Sequence, residues 1–239
     1  LRNAAPLSDA LRDELGTLLA TAPGSLGQLV AAHATAQIVA RAAQAERIAA
    51  ALARCNSKGA TVATGPGLGA TFWGDNAPGH EGMRRAGVAR ILIAEGPSVD
   101  PRGVTRLGGL DAADAVRINL PAELMSEAQL TLAIARGEAC ALLLASDAVA
   151  ADGSAVLLAG GVALAAAAAA RKIPIVLVAT PSAAASKDAE ALARRIAEAE
   201  ATELHAAAGG SVAARSVAAG VTVRAPRYEI LAAGVAERI

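Results

Sequence analysis

Aromatic side chains are almost absent from this chain: its 239 residues include one Phe, one Trp and one Tyr. Proteins that hold single-stranded nucleic acid stack successive bases on aromatic rings, and three rings cannot build that platform. An excess of one charge is absent too, since 22 Lys and Arg balance 22 Asp and Glu. With no basic footprint for phosphate backbones or anionic lipid, no direct nucleic-acid binding is expected. Cysteine is scarce. Cys55 and Cys140 are too few and too far apart for a disulfide framework or a metal-ligand cluster. Reduced thiols, no metal and no cofactor are the expectation, in a cytoplasmic or organellar compartment. Long apolar runs are missing as well. The stretch "AVLLAGGVALAAAAAA" (155–170) is 16 residues long, short for a bilayer span, and Ala and Gly add little insertion energy. The opening "LRNAAPLSDALRDELG" lacks the basic-then-apolar order of a secretory signal. These absences together lead us to expect a soluble cytoplasmic protein with no membrane partner.

What fills the chain is Ala, Val, Leu and Ile, which dominate its 54% apolar content. That length and content suffice for one large core of small aliphatic side chains. Residues 7–54 carry apolar positions at helical spacing, with Ser8 and Ser25 as candidate caps. From residue 59 the texture changes. Short β-rich runs stand at 60–64, 89–95, 115–120, 140–146, 173–180 and 220–225, and helical composition fills 122–136, 155–171 and 185–207. Strands alternating with helices predict an α/β fold, a parallel Rossmann-like sheet with helices on both faces. Continuous apolar strands such as "CALLLA" and "IPIVLVA" fit burial on both sides. The expected organisation is an N-terminal helical region, 1–54, followed by a Rossmann-like domain, 55–239.

One segment supports two incompatible sites. In "RCNSKGATVATGPGLGATFWG" (54–74), Gly65, Gly67 and Ala70 have the spacing of a dinucleotide-binding loop behind a strand, and Glu95 stands where a ribose-binding acid would. Such a loop must open a helix whose amides face the pyrophosphate. Here Gly74, Pro78, Gly79 and Gly82 interrupt the place where that helix should run. Gly and Pro disfavour a helix interior by about 1 and 3 kcal/mol. A tight structural turn is the better account, with an NAD-binding oxidoreductase as the outlying alternative.

The other site rests on a resemblance. "ARCNSKGATVA" (53–63) resembles the cysteine segment of the ribose-1,5-bisphosphate isomerases. "ASDAVAADGSAVLLAGGVALAAAAAARKIPIVLVATPS" (145–182) resembles a second signature of the same superfamily, Gly-Ala-Asp, Asn-Gly, then Asn-Lys-Ile-Gly-Thr and a helix. "ILIAEGPSVDPRG" (91–103), "NLPAELM" (119–125) and "VTVRAPRYEILAAGVAERI" (221–239) are similar to further elements in the same order. The superfamily comprises those isomerases, the methylthioribose-1-phosphate isomerases, and the regulatory alpha, beta and delta subunits of eukaryotic initiation factor two-B. For an isomerase, the resemblance implies that Cys55 and Asp147 move the proton between C1 and C2. It also implies that Asn56, Ser57, Lys58, Gly59, Glu95, Gly153 and Gly160 line the substrate, with Arg102 as a replacement anion-binding arginine. Lys58 could lower the Cys55 thiol pKa by facing it.

The departures point the other way. Leu157 and Leu158 stand where the superfamily has Asn-Lys, and Glu95-Gly96-Pro97 replaces Glu-Thr-Arg-Pro. Each lost charged hydrogen bond to a phosphate removes roughly 1.5–3 kcal/mol of binding. The chain therefore looks like the beta and delta subunits, which retain the fold and lose much of the isomerase signature. That implies a homo- or hetero-oligomer formed through the C-terminal elements, with initiation factor subunits as partners. Elsewhere, His33 and His80 read as surface or packing residues, Phe72 and Trp73 as packing beneath the glycine loop or at an interface, and Arg224 and Arg227 as a solvated or interface surface.

Overall fold

The computed structural model describes residues 39–53, 55, 59–74, 77–96, 106–186 and 228–238. Within them, helices α1 (39–52), α2 (Ala70–Trp73), α3 (Pro78–Arg85), α4 (Leu107–Arg117), α5 (Glu127–Arg136) and α6 (Gly161–Ala170) alternate with eight strands. The strands are β1 (Ala60–Thr64), β2 (Val88–Ala94), β3 (Ala122–Met125), β4 (Ala141–Ala150), β5 (Ala155–Leu158), β6 (Ile175–Ser186), β7 (Tyr228–Leu231) and β8 (Glu237–Arg238).

Strands β3, β2, β1, β4, β6 and β8 lie side by side in that order, every pair parallel. Alternate residues of each strand face opposite ways, and the two faces hold separate cores. On one face Val62, Ile91, Ile93, Leu143 and Val176 meet Ile48, Leu52, Phe72, Trp73, Met83 and Ala115 from α1 to α4. On the other, Ala63, Leu92, Leu142, Leu144 and Leu177 meet α5 and α6 through Leu130, Ile134, Leu164 and Ala168. Helices therefore cover both faces, as the continuous apolar strands predicted. Among the described residues, no helix is long and apolar enough to cross a membrane.

Three local expectations are corrected. Residues 115–120, expected as a strand, are the end of α4 and a turn in which Asn119 adopts φ +61°. The strand of that βαβ unit is β3, four residues at the start of a segment expected to be helical. Ser126 then begins α5 with a reciprocal cap, accepting from Gln129 N while its own N–H donates to Gln129 Oε1. Residues 155–158, expected at the start of a helix, form β5, antiparallel to the far half of β4 on one side and to β7 on the other. A short apolar run fits a buried strand or a buried helix equally well, and here the partner strands decide. The runs at 185–207 and 220–225 and the helical segments expected before residue 39 lie outside the described residues, apart from 185–186, which end β6.

Candidate functional site

Strand order reverses between β1 and β4: the chain runs outward from β1 to β3, then returns to the other side of β1. Open α/β sheets gather ligands at that point, beyond the carboxyl ends of the strands. Here the edge is built from the glycine loop after β1, Glu95 and Gly96 after β2, the start of α4, the start of α5, and the β5–α6 turn.

The glycine loop is held from inside the protein. Asp111, one turn into α4 and 1% exposed, accepts from Gly67 N at 2.7 Å and Leu68 N at 3.2 Å through Oδ2. Its Oδ1 accepts from Gly69 N at 2.8 Å and Trp73 Nε1 at 3.0 Å. Gly67 and Gly69 adopt φ +88° and +70°, which turns successive amides toward one point. Burial pushes the Asp111 carboxyl above its ordinary value, and the four donors pull against that shift. Trp73 is fully buried, its ring edge-on to Phe72 at 4.8 Å, so both aromatics pack under the loop. The helix that follows, α2, is a single turn. A dinucleotide needs free loop amides and a long helix behind them, and this loop supplies neither.

The same device recurs twice. Gly96 N donates to Glu127 Oε1 at 2.9 Å. At the head of α6, Gly160 N and Val162 N donate to Glu229 Oε2 at 3.1 and 3.0 Å, so a carboxylate from β7 sits on the helix terminus. Gly160 itself has φ +93°. Leu157 and Leu158 are buried in β5, and Leu158 reaches toward the glycine loop: a Cβ on Gly67 would meet its Cδ1 at 3.1 Å. Three internal carboxylates and an aliphatic wall thus occupy the amides at this edge. Sequence reasoning passed over Asp111, Glu127 and Glu229 because no motif surrounds them.

The residues expected to act together are not brought together. Cys55 is buried ahead of β1, in the apolar cluster against which Cys140, the residue before β4, also packs. Asp147 is exposed and lies toward the other end of β4. Seven residues of extended strand separate Cys140 from Asp147, roughly 20 Å. No substrate carbon and its neighbouring oxygen reach across that gap. Gly59, with φ +88°, lies on the Cys55 side, whereas Gly153, at the tip of the β4–β5 hairpin, and Gly160 lie on the Asp147 side. Glu95 is paired with Arg106, Nε to Oε1 at 3.8 Å, and Arg106 Nη1 also donates to Gly96 O at 3.3 Å. Asn56, Ser57, Lys58 and Arg102 lie outside the described residues, as do His33, Arg224 and Arg227. Among the described residues, no group of three or more His, Cys, Asp or Glu could hold a metal ion.

Thr64, the last residue of β1, is fully buried, and its Oγ1 has no hydrogen-bond partner among the described residues. A buried hydroxyl without a partner opposes folding. Thr64→Val is expected to leave stability unchanged or to raise it by about 1 kcal/mol, measured by denaturant midpoint. A loss larger than that would mean that the hydroxyl is hydrogen-bonded in solution.

No protein-family profile matches the chain, and no curated protein does. Solved structures do. The chain is similar to 5-methylthioribose 1-phosphate isomerase from Pyrococcus horikoshii OT3, with 16% identity over 96% of this chain and 65% of that one, at a TM-score of 0.52. It is also similar to the translation initiation factor eIF-2B of P. horikoshii OT3, with 19% identity over 72% of this chain and 64% of that one, at a TM-score of 0.44. A third structure is the delta subunit of eIF-2B from A. fulgidus, with 14% identity over 92% of this chain and 69% of that one, at 0.45. The chain spans about two thirds of the length of each of these proteins. The isomerase likeness shows a shared fold.

Proposed function

We propose, from the fold shared with the initiation factor 2B and sugar-phosphate isomerase superfamily, that this chain is a non-catalytic regulatory or assembly subunit. It would support guanine nucleotide exchange in translation initiation by joining a homo- or hetero-oligomer. One observation carries the reading. The backbone amides that an α/β sheet offers to a phosphorylated ligand are taken by Asp111, Glu127 and Glu229. A phosphate would have to displace a carboxylate from each place and would meet two or more like charges nearby, so binding is opposed by geometry and by charge. The separation of Cys55 from Asp147 and the burial of Leu157 and Leu158 support the same conclusion.

The test has two arms. Purified chain is incubated with ribose 1-phosphate, ribose 1,5-bisphosphate and 5-methylthioribose 1-phosphate, and ketose formation is followed. No turnover is expected, and inorganic phosphate is expected to leave the melting temperature unchanged. Turnover that disappears in Cys55→Ser or Asp147→Asn would establish the isomerase alternative instead. In the second arm, solution mass is measured for the chain alone and mixed with initiation factor 2B subunits. A strict monomer that takes up none of them would remove the assembly role.

A further inference from the structure

Helices α5 and α6 lie side by side on one face of the sheet and run the same way. A Cβ on Gly160, at the head of α6, would meet Glu127 Cγ at 2.7 Å, and one on Gly137, at the end of α5, would meet Arg171 Nη2 at 2.7 Å. Each helix buries one stripe against the sheet. The opposite stripes, at spacings of three and four, are Ala128, Leu132 and Ala135 in α5 and Ala163, Ala166 and Ala170 in α6. All six are exposed, Leu132 to 48%. A surface helix turns polar side chains to water on that side, and α6 has none in ten residues. The two ends of this aliphatic face carry opposite charge. Arg136, Arg171 and Lys172 stand at the helix C-termini beside Glu138, and none of the three cations pairs with a carboxylate among the described residues. Glu127 and Glu229 stand at the helix N-termini.

We propose that a second copy of this chain packs on this face, α5 against α5 and α6 against α6, with the helices of the two copies antiparallel. The proposal rests on the assembly role above and names the surface that serves it. Charge selects the arrangement. A two-fold axis along the helices would set the three cations of one copy against the same three of the other. A two-fold axis across the helices turns each cationic end onto an acidic end, Arg136 toward Glu127 and Arg171 toward Glu229 of the second copy, and it also opposes the helix dipoles. Leu132 and Ala166, near the middle of their stripes, then meet their own counterparts at the axis. Alanine side chains let the facing helices approach to about 8 Å between axes. Ten residues make each helix about 15 Å long, so the face is small for an obligate interface. The dimer is therefore weak, with a Kd on the order of micromolar.

The full chain is followed by sedimentation velocity from micromolar to hundreds of micromolar concentration. The mass should double across that range, and added salt should shift the equilibrium toward monomer. Leu132→Glu and Ala166→Glu alter exposed positions, so the melting temperature of the dilute chain should hold, while the dimer Kd should rise by about tenfold or more in each. Arg171→Glu should weaken the dimer as well. Mild oxidation of Ala166→Cys should link two chains through position 166, seen as a cross-linked peptide by mass spectrometry. A chain that stays monomeric throughout overturns the proposal. So does a dimer that both Glu variants leave intact, although the assembly role then stands with another surface serving it. A monomer that instead takes up initiation factor 2B subunits likewise removes the second copy and keeps the assembly role. An Arg171→Glu dimer as tight as the parent would overturn the antiparallel pairing.

Discussion

Asp111→Ala is expected to lower the melting temperature by about 10 °C. The substitution leaves three backbone amides and the Trp73 indole N–H facing a void where the carboxylate stood. A buried donor left without its acceptor costs about 1–3 kcal/mol, and breaking a buried charged network typically costs about 3–5 kcal/mol once relaxation and water are counted. At about 2–4 °C per kcal/mol for a chain of this size, the loss is large and measurable by calorimetry. Asp111→Asn separates shape from chemistry. It fills the space, but its NH2 group must face donors on one side, so about half the loss should remain. An Asn variant as stable as the parent would show that the loop does not depend on two acceptor oxygens. The pH dependence has a definite sign. Burial raises the Asp111 carboxyl above its ordinary value, so the folded chain holds that proton more tightly than the unfolded chain does. This group's contribution to stability therefore falls as pH rises from about 4 through the raised value, and the gap between parent and Asn variant should narrow in the same direction.

Gly108→Ala should be about half as damaging, although it only adds one methyl group to a helix. A Cβ at Gly108 would overlap the carbonyl oxygen of Ala94 and crowd the Glu95 oxygen, because α4 starts directly against the end of β2. Gly108 N donates to Glu95 O at 2.9 Å, and a retreating helix would break that bond. Alanine gains about 1 kcal/mol of helix propensity over glycine, whereas overpacking costs about 1–3 kcal/mol or more. The clash is with backbone, which cannot rotate aside as a side chain can, so the loss wins. A fall of about 5 °C is expected. Gly109→Ala is the built-in control. Its Cβ would meet nothing within 4 Å, so this neighbour should stabilise the chain by up to about 1 kcal/mol. Similar effects at both positions would mean that α4 does not rest on β2 as described. Because Gly108 and Asp111 occupy adjacent turns of one helix, their losses should not add; a double variant would measure the coupling.

The amide-filling carboxylates separate what can be read along a chain from what cannot. The glycine loop was legible because positive φ demands glycine, and the loop indeed turns at Gly67 and Gly69. Its occupant was not legible. Asp111 is one acid in an Ala- and Gly-rich helix more than forty positions away, and Glu229 lies in a short strand further still. Nothing in their neighbours marks them as buried acceptors. The β5 strand was missed for a related reason. "AVLL" has no period of its own, and its state depends on β4 and β7 on either side. Cys55 was read correctly as preceding a strand and misread as facing the same site as Asp147.

By itself the sequence determined the layered α/β architecture, since strands apolar on both faces must be covered on both faces. It also excluded a charged contact from positions 157 and 158, because both are Leu. Tertiary structure alone decided which acids fill the amides at the sheet edge, because that depends on the order of strands across the sheet. Neighbours in a parallel sheet are set by crossover connections, and those bring together residues that no local pattern links.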